Sequence, residues 1–175
     1  SSCGQTQFVG AGEEPRTADA KIDFVYPPVV FPSNKILKTF GEEAIRNMVF
    51  HHHSMLKKSS IGDMFPADEK EFLEGTKKTA DFFVEALGGG DIFSSKHGHP
   101  ALRGRHFRFT IDEKGREIWL MMYKKTLRDI EFPKELLEEF WNWIEPLSIR
   151  MINRRTTAVP PQRFTFESIK SEFGL

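Results

Sequence analysis

The sequence has very little cysteine and no long apolar segment. Cys3 is the only cysteine among 175 residues, so the chain can form neither an internal disulfide nor a thiolate metal cluster. No apolar run approaches the roughly 18 to 20 residues that span a bilayer, and no signal-type hydrophobic region is visible. A secreted disulfide scaffold and a membrane-spanning protein are therefore excluded, and no transmembrane segment is predicted.

An excess of either charge is also lacking. The chain carries 25 basic and 25 acidic residues, and no stretch concentrates the Lys and Arg that nucleic-acid binding requires. We interpret the cluster Arg150, Arg154 and Arg155 as a solvated helix end and predict no nucleic-acid partner. The predicted location is cytoplasmic. Because the chain begins Ser1-Ser2-Cys3, a removed signal or a lipid-anchored Cys3 is the alternative.

Tyrosine is scarce, whereas phenylalanine is abundant. There are two Tyr and 17 Phe residues, so the interior is predicted to be rich in flat, wholly apolar rings. Such an interior suits a pocket for a flat apolar ligand, and it equally suits an ordinary core.

The apolar spacing predicts an all-α fold without strands. The predicted helices cover 42–57, about 68–87, about 112–127, a fourth from near Pro133 that Pro146 should kink, and a short docking helix around 166–173. Residues 1–20 show no period and are interpreted as a mobile tail, and 22–32 as an extended arm, because prolines there prevent a helix. Residues 91–111 are predicted to be loop with at most a short helix.

Half of the six histidines are adjacent, in "VFHHHSML" at 49–56. On a helical wheel, His52 lies at the centre of the apolar face and His51 at its border, whereas His53 lies beside Arg46 and should lean to solvent. An inward histidine can be a core residue bonded to a backbone carbonyl. It can equally be the imidazole ligand that iron in haem, zinc or copper uses.

A second inward histidine would favour a ligand role, and the candidates are His97, His99 and His106 in "KHGHPALRGRHFRF". Of these, His106 has Leu102 one helical turn before it and Phe107 and Phe109 after it. A zinc site could use His97, His99 and a third ligand, but a His-x-His pair without nearby carboxylates or thiols is weak evidence for one.

Three segments together resemble the truncated haemoglobins, most closely group II, over about residues 35–152. They are "LKTFGEEAIRNMVFHHHSML", "FFVEALGGG" and "GHPALRGRHFRFTI", followed by Trp119. Two linked spacings make the resemblance fairly specific: Phe65 follows His52 by thirteen residues, and Trp119 follows His106 by thirteen. Residues 1–34 and 153–175 are N- and C-terminal extensions outside the resemblance.

The resemblance implies a two-over-two helical sandwich around non-covalently bound haem b, with His106 as the proximal iron ligand. It places Trp119 on the distal side, with its indole N–H directed to the ligand. The remaining residues that it implies as haem contacts are Phe65, Gly75, Lys78, Thr79, Leu102, Arg103 and Arg105.

The chain departs from the group II pattern at His52, where the family usually carries a tyrosine. We therefore expect His52, assisted by His51, to take over the polar role on the distal side. The second long helix also departs from the family pattern, because it is about two residues longer than usual.

The function that follows is reversible binding, and possible transport, of O₂ or another diatomic gas at haem iron. An enzymatic alternative is nitric oxide oxidation or peroxidase-like turnover, since haem carries that chemistry and the protein tunes it. An unidentified reductase is a further predicted partner, and the sequence does not separate the two functions because it contains no reductase domain. A non-haem zinc or copper protein is a third hypothesis.

Overall fold

A computed structural model describes residues 26–98 and 110–175, and these residues form helices without any strand. The α-helices are α1 Lys35–Phe40, α2 Glu42–Lys57, α3 Glu69–Ala86, α4 Ile92–His97, α5 Glu113–Asp129, α6 Lys134–Arg150 and α7 Phe166–Ile169. Short 3₁₀ turns cover Gly62–Met64 and Lys170–Phe173. The all-α prediction is confirmed, and the long helices begin and end within about two residues of their predicted bounds.

Sequence-local signals explain where the long helices begin. The Asp68 carboxylate accepts a hydrogen bond from the Glu71 backbone N–H at 2.9 Å, and that of Asp112 accepts one from Gly115 at 2.8 Å. Both bonds satisfy donors that the first turn leaves without a helical partner. Gly88, with φ +106°, ends the α3 segment, because glycine adopts this left-handed backbone conformation without a steric penalty.

Two short helices were not predicted. α1 and α4 contain six residues each, too few to establish a helical period. Gly41, with φ +94°, separates α1 from α2. α4 lies at the start of the segment that was predicted to be loop with at most a short helix, and residues 99–109 of that segment lie outside the described residues.

The helices pack as two pairs. α2 lies against α3 and also against α5, which packs on α6. The stripe predicted on α6 is buried throughout: Leu137, Phe140, Ile144, Leu147 and Met151. Pro146 lies inside α6, which continues to Arg150, and the expected kink stays a prediction.

The described part of the N-terminal arm lies over α6. Phe31 meets Trp143 edge-on, with ring centroids 6.0 Å apart. The Ser33 backbone N–H donates to a Glu139 carboxylate oxygen at 2.8 Å, and Arg150 donates to the Pro27 carbonyl at 3.1 Å. No helix within 26–98 or 110–175 is long and apolar enough to cross a membrane.

The C-terminal extension is held by a buried charge network. Glu145 pairs with Arg116 at 2.8 Å and with Arg163 at 2.6 Å, and it accepts the Phe164 backbone N–H at 3.0 Å. The interpretation of the 150–155 arginines as a solvated helix end was wrong for Arg155. Its side chain is buried and pairs with Glu113 at 2.6 Å.

Candidate functional site

The long helices enclose a cavity of about 960 Å³. This volume lies at the upper end of the roughly 300–1,000 Å³ typical of ligand pockets. The sequence-predicted residues that line it are Phe65, Gly75, Lys78, Thr79 and Trp119. The structure thus brings these five predicted positions to one cavity. Their roles toward a bound group remain a proposal.

The cavity walls are mainly aromatic and aliphatic. Phe65 and Phe72 meet edge-on at 6.0 Å on one side, and Phe82 and Phe93 do so at 5.7 Å on another. Lys78 is exposed and lines the same cavity. An apolar slot with a cation at its rim suits a flat ligand that carries acidic groups.

His52 is fully buried, as the helical wheel predicted. Its Nε2 lies 3.0 Å from the Trp119 carbonyl oxygen. One ring face stacks on Tyr123 with centroids 3.5 Å apart and planes at 25°, and the ring meets Trp119 at 5.1 Å and 90°. His52 therefore joins α2 to α5 beside the cavity, although it is not among the described lining residues.

The surroundings of His52 fix the position of its proton. Burial holds the pKa of His52 well below its usual value of 6.5, and the neighbouring His53 adds to that shift, so the ring is neutral near pH 7. A carbonyl oxygen can only accept, so the single ring proton lies on Nε2 and is donated to Trp119. Nδ1 then presents a lone pair, and this buried atom has no hydrogen-bond partner.

His51 and His53 have different surroundings from His52 and from each other. His51 is 40% exposed, and its Nε2 lies 3.0 Å from an Asp129 carboxylate oxygen, so it must leave Asp129 to reach the cavity. The expectation that His53 leans to solvent was wrong. Its half-buried ring lines the cavity, meets Phe65 edge-on at 5.7 Å, and donates from Nδ1 to the Val49 carbonyl at 3.1 Å.

The reason for this error is the packing of α2 on α3. Arg46, on the same side of α2 as His53, is not in open solvent, because it pairs with Asp81 of α3 at 2.8 Å. A helical wheel identifies the apolar stripe but does not show which polar flank faces another helix.

The sequence analysis did not single out Tyr123. Its side chain is fully buried and lines the cavity, and its hydroxyl has no hydrogen-bond partner. Burial raises the pKa of this phenol well above 10, so the hydroxyl stays protonated. The available sequence signal was its position four residues after Trp119, which places both on one face of a helix.

Two carboxylates of α3 anchor α4. Asp81 is buried and lies 3.3 Å from His97 Nε2. Glu85 accepts from the Phe93 and Ser94 backbone N–H groups at 2.9 and 2.8 Å. The sequence analysis missed both carboxylates, and it considered His97 only as a candidate metal ligand.

Several predicted site residues lie outside the described ranges. They are His99, Leu102, Arg103, Arg105 and His106. Within 26–98 and 110–175, no group of three or more His, Cys, Asp or Glu side chains could hold a metal ion.

The residues that line the cavity fit a haem. The slot is large and largely apolar, it carries Lys78 at its rim, and the Tyr123 hydroxyl and His52 Nδ1 are buried beside it without partners. Buried polar atoms without partners are rare in native proteins and indicate a missing ligand or water.

Comparison with known proteins identifies the family. The family model for bacterial-like globins matches residues 38–153. This chain belongs to the bacterial-like globins. Its fold is similar to that of phosphate-bound Hell's gate globin IV, with a TM-score of 0.84 and 50% identity over 89% of this chain and 97% of that one.

Two group II proteins are more distant relatives of this globin. Group 2 truncated hemoglobin YjbI of Bacillus subtilis (strain 168) is 28% identical over 127 residues, 69% of this chain and 90% of that protein. The group II truncated haemoglobin from Bacillus anthracis is 28% identical over 69% of this chain and 98% of that one, with a TM-score of 0.62. The resemblance to group II and the truncated globin fold are confirmed, and the family supports a haem-binding function.

Proposed function

We propose that this globin binds one haem b non-covalently through His106 and holds O₂ or a related diatomic gas reversibly at the iron. The observation that carries the proposal is the large apolar cavity, with Phe65 and Trp119 on its wall and Lys78 at its rim. Haem supplies the redox-active iron, and the protein controls polarity and access around it.

The residues that would hold the haem follow from the cavity and from the family resemblance. Phe65, Gly75 and Thr79 line the cavity wall and would contact the porphyrin. Lys78, with Arg103 and Arg105 from the 99–109 segment, would pair with the propionates through charge-assisted bonds. Leu102 would contact the ring on the proximal side.

On the distal side, we propose that Trp119 and His52 stabilise the bound ligand. Trp119 lines the cavity directly. His52 can donate to a ligand only after its ring leaves the Trp119 carbonyl or Nδ1 gains a proton, because its one N–H is already used. Any contribution from His51 requires that its ring leave Asp129.

Titration of the purified protein with hemin tests this function. We expect a Soret band that saturates at about one hemin per chain, and its absence would refute the function. His106→Ala should abolish stable binding or make it depend on added imidazole. His97→Ala is the matched control, because that ring is already engaged with Asp81, and it should leave the band unchanged. The opposite result would show that the proximal assignment is wrong.

A further inference from the structure

The hydroxyl groups around the cavity differ in whether they already donate a hydrogen bond within the protein. Among the described lining residues, Thr76 donates to the Phe72 carbonyl at 2.8 Å, and Thr79 donates to Gly75 at 3.3 Å. Ser148 donates to the Glu145 carbonyl at 2.6 Å. Each of these bonds stays within the residue's own helix. The hydroxyl of Tyr123 has no acceptor. Among the hydroxyl groups of the described lining residues, it is therefore the one that donates no hydrogen bond.

The position of Tyr123 on α5 directs its ring along the cavity wall. Gly115, Trp119 and Tyr123 recur every four residues and all line the cavity. Long side chains on a helix lean toward its N-terminus, over the preceding turn. The ring of Tyr123 accordingly lies 4.8 Å from that of Trp119, and both residues line the cavity.

The packing around Tyr123 holds the ring in this orientation. It is stacked between His52, with centroids 3.5 Å apart, and Phe83, with centroids 6.1 Å apart and planes at 14°. Phe140 meets it edge-on at 5.8 Å. A phenol held on its faces by rings keeps its hydroxyl fixed without any bond to that hydroxyl.

We propose that the Tyr123 hydroxyl, whose ring stacks on His52, donates a hydrogen bond to the diatomic ligand in the cavity. The inference rests on the proposed function, since it requires a haem-bound ligand. An O–H group without a protein acceptor, on a residue that lines a cavity, would gain a partner from a polar ligand that reaches it.

Tyr123→Phe tests the proposal because it removes only the hydroxyl. In the haem-loaded protein, we expect O₂ dissociation, measured by stopped flow, to be about tenfold to a hundredfold faster. The C–O stretching frequency of the carbon monoxide complex should rise, because a donor near the ligand is lost. The melting temperature should stay unchanged or rise, since an unpaired buried hydroxyl is removed.

Trp143→Phe is the matched control. Trp143 is fully buried in the same aromatic cluster and has an indole N–H without a partner, but it is not among the described lining residues. We expect its substitution to leave the dissociation rate and the C–O frequency unchanged. A Tyr123→Phe protein with a normal Soret band and wild-type rate and frequency would overturn the proposal. A wild type without a Soret band would refute the proposed function instead.

A second measurement tests the Tyr123 hydroxyl without the Tyr123→Phe substitution. The chain has two tyrosines, so 3-fluorotyrosine incorporated into a Tyr26→Phe background labels Tyr123 alone. The more acidic phenol should donate a stronger hydrogen bond and slow O₂ dissociation relative to the unlabelled Tyr26→Phe protein. An unchanged or faster rate would contradict the donor role.

Discussion

The buried, neutral His52 should make this globin lose stability as the pH falls. In the unfolded chain, a histidine gains its proton near its usual pKa of 6.5, whereas burial holds the pKa of folded His52 well below that value. Below about pH 6.5, the unfolded state therefore binds more protons than the folded state. The stabilising effect of neutral His52 is present above pH 6.5 and decreases as the pH falls toward the folded pKa.

The magnitude follows from proton linkage. The free energy of unfolding should fall by about 1.4 kcal/mol per pH unit in this range on account of one such group. His52→Phe keeps an aromatic ring against Tyr123 but cannot titrate. The difference in unfolding free energy between wild type and variant should therefore change by about 1.4 kcal/mol from about pH 7.5 to about pH 5.5, in the direction that favours the variant at low pH.

Urea unfolding of the haem-loaded proteins, followed by circular dichroism at several pH values, measures this difference. Tyr123→Phe is the matched control, because it changes a polar atom in the same stack without a group that titrates in this range. Its stability should fall with pH in parallel with wild type. If His52→Phe also loses stability as steeply as wild type, His52 does not remain neutral in the folded protein.

Three further predictions concern stability, ligand dissociation and enzymatic turnover. In thermal melts, Glu145→Gln should lower the free energy of unfolding by about 3 to 5 kcal/mol, because it leaves two paired arginines without their carboxylate. The exposed control Glu138→Gln should lower it by at most about 0.5 kcal/mol. His53→Leu should change the O₂ dissociation rate more than His51→Leu, since only the first ring lines the cavity. Equal effects would contradict that placement. With NADH and no reductase, peroxide and nitric oxide should show no sustained multiple turnover; tens of turnovers per second would indicate a dedicated enzyme.

The α2 histidines show how far the sequence alone can predict the site. Apolar spacing identified the inward residue, and His52 is indeed fully buried. The same reasoning failed for His53, because the cavity borders the polar flank of α2, where α3 packs. The side on which a neighbouring helix lies is a tertiary property that no single helix encodes.

Buried polar groups mark a second limit. Arg155 lies in a basic cluster and was interpreted as solvated, yet it pairs with Glu113, 42 residues away in sequence. Tyr123 has the spacing of a core residue, and only the three-dimensional structure shows that its hydroxyl lacks an acceptor beside a cavity. Helix bounds depend mainly on local patterns, whereas hydrogen-bond partners depend on long-range packing.

The central claim is that this globin binds a diatomic gas reversibly at haem. The most direct test is the optical spectrum of the reduced, haem-loaded protein as O₂ is admitted and then removed under argon. We expect a shift of the Soret and visible bands on O₂ admission and full recovery of the starting spectrum when O₂ is removed. Immediate conversion to the ferric spectrum, or no spectral change with O₂, would contradict the account.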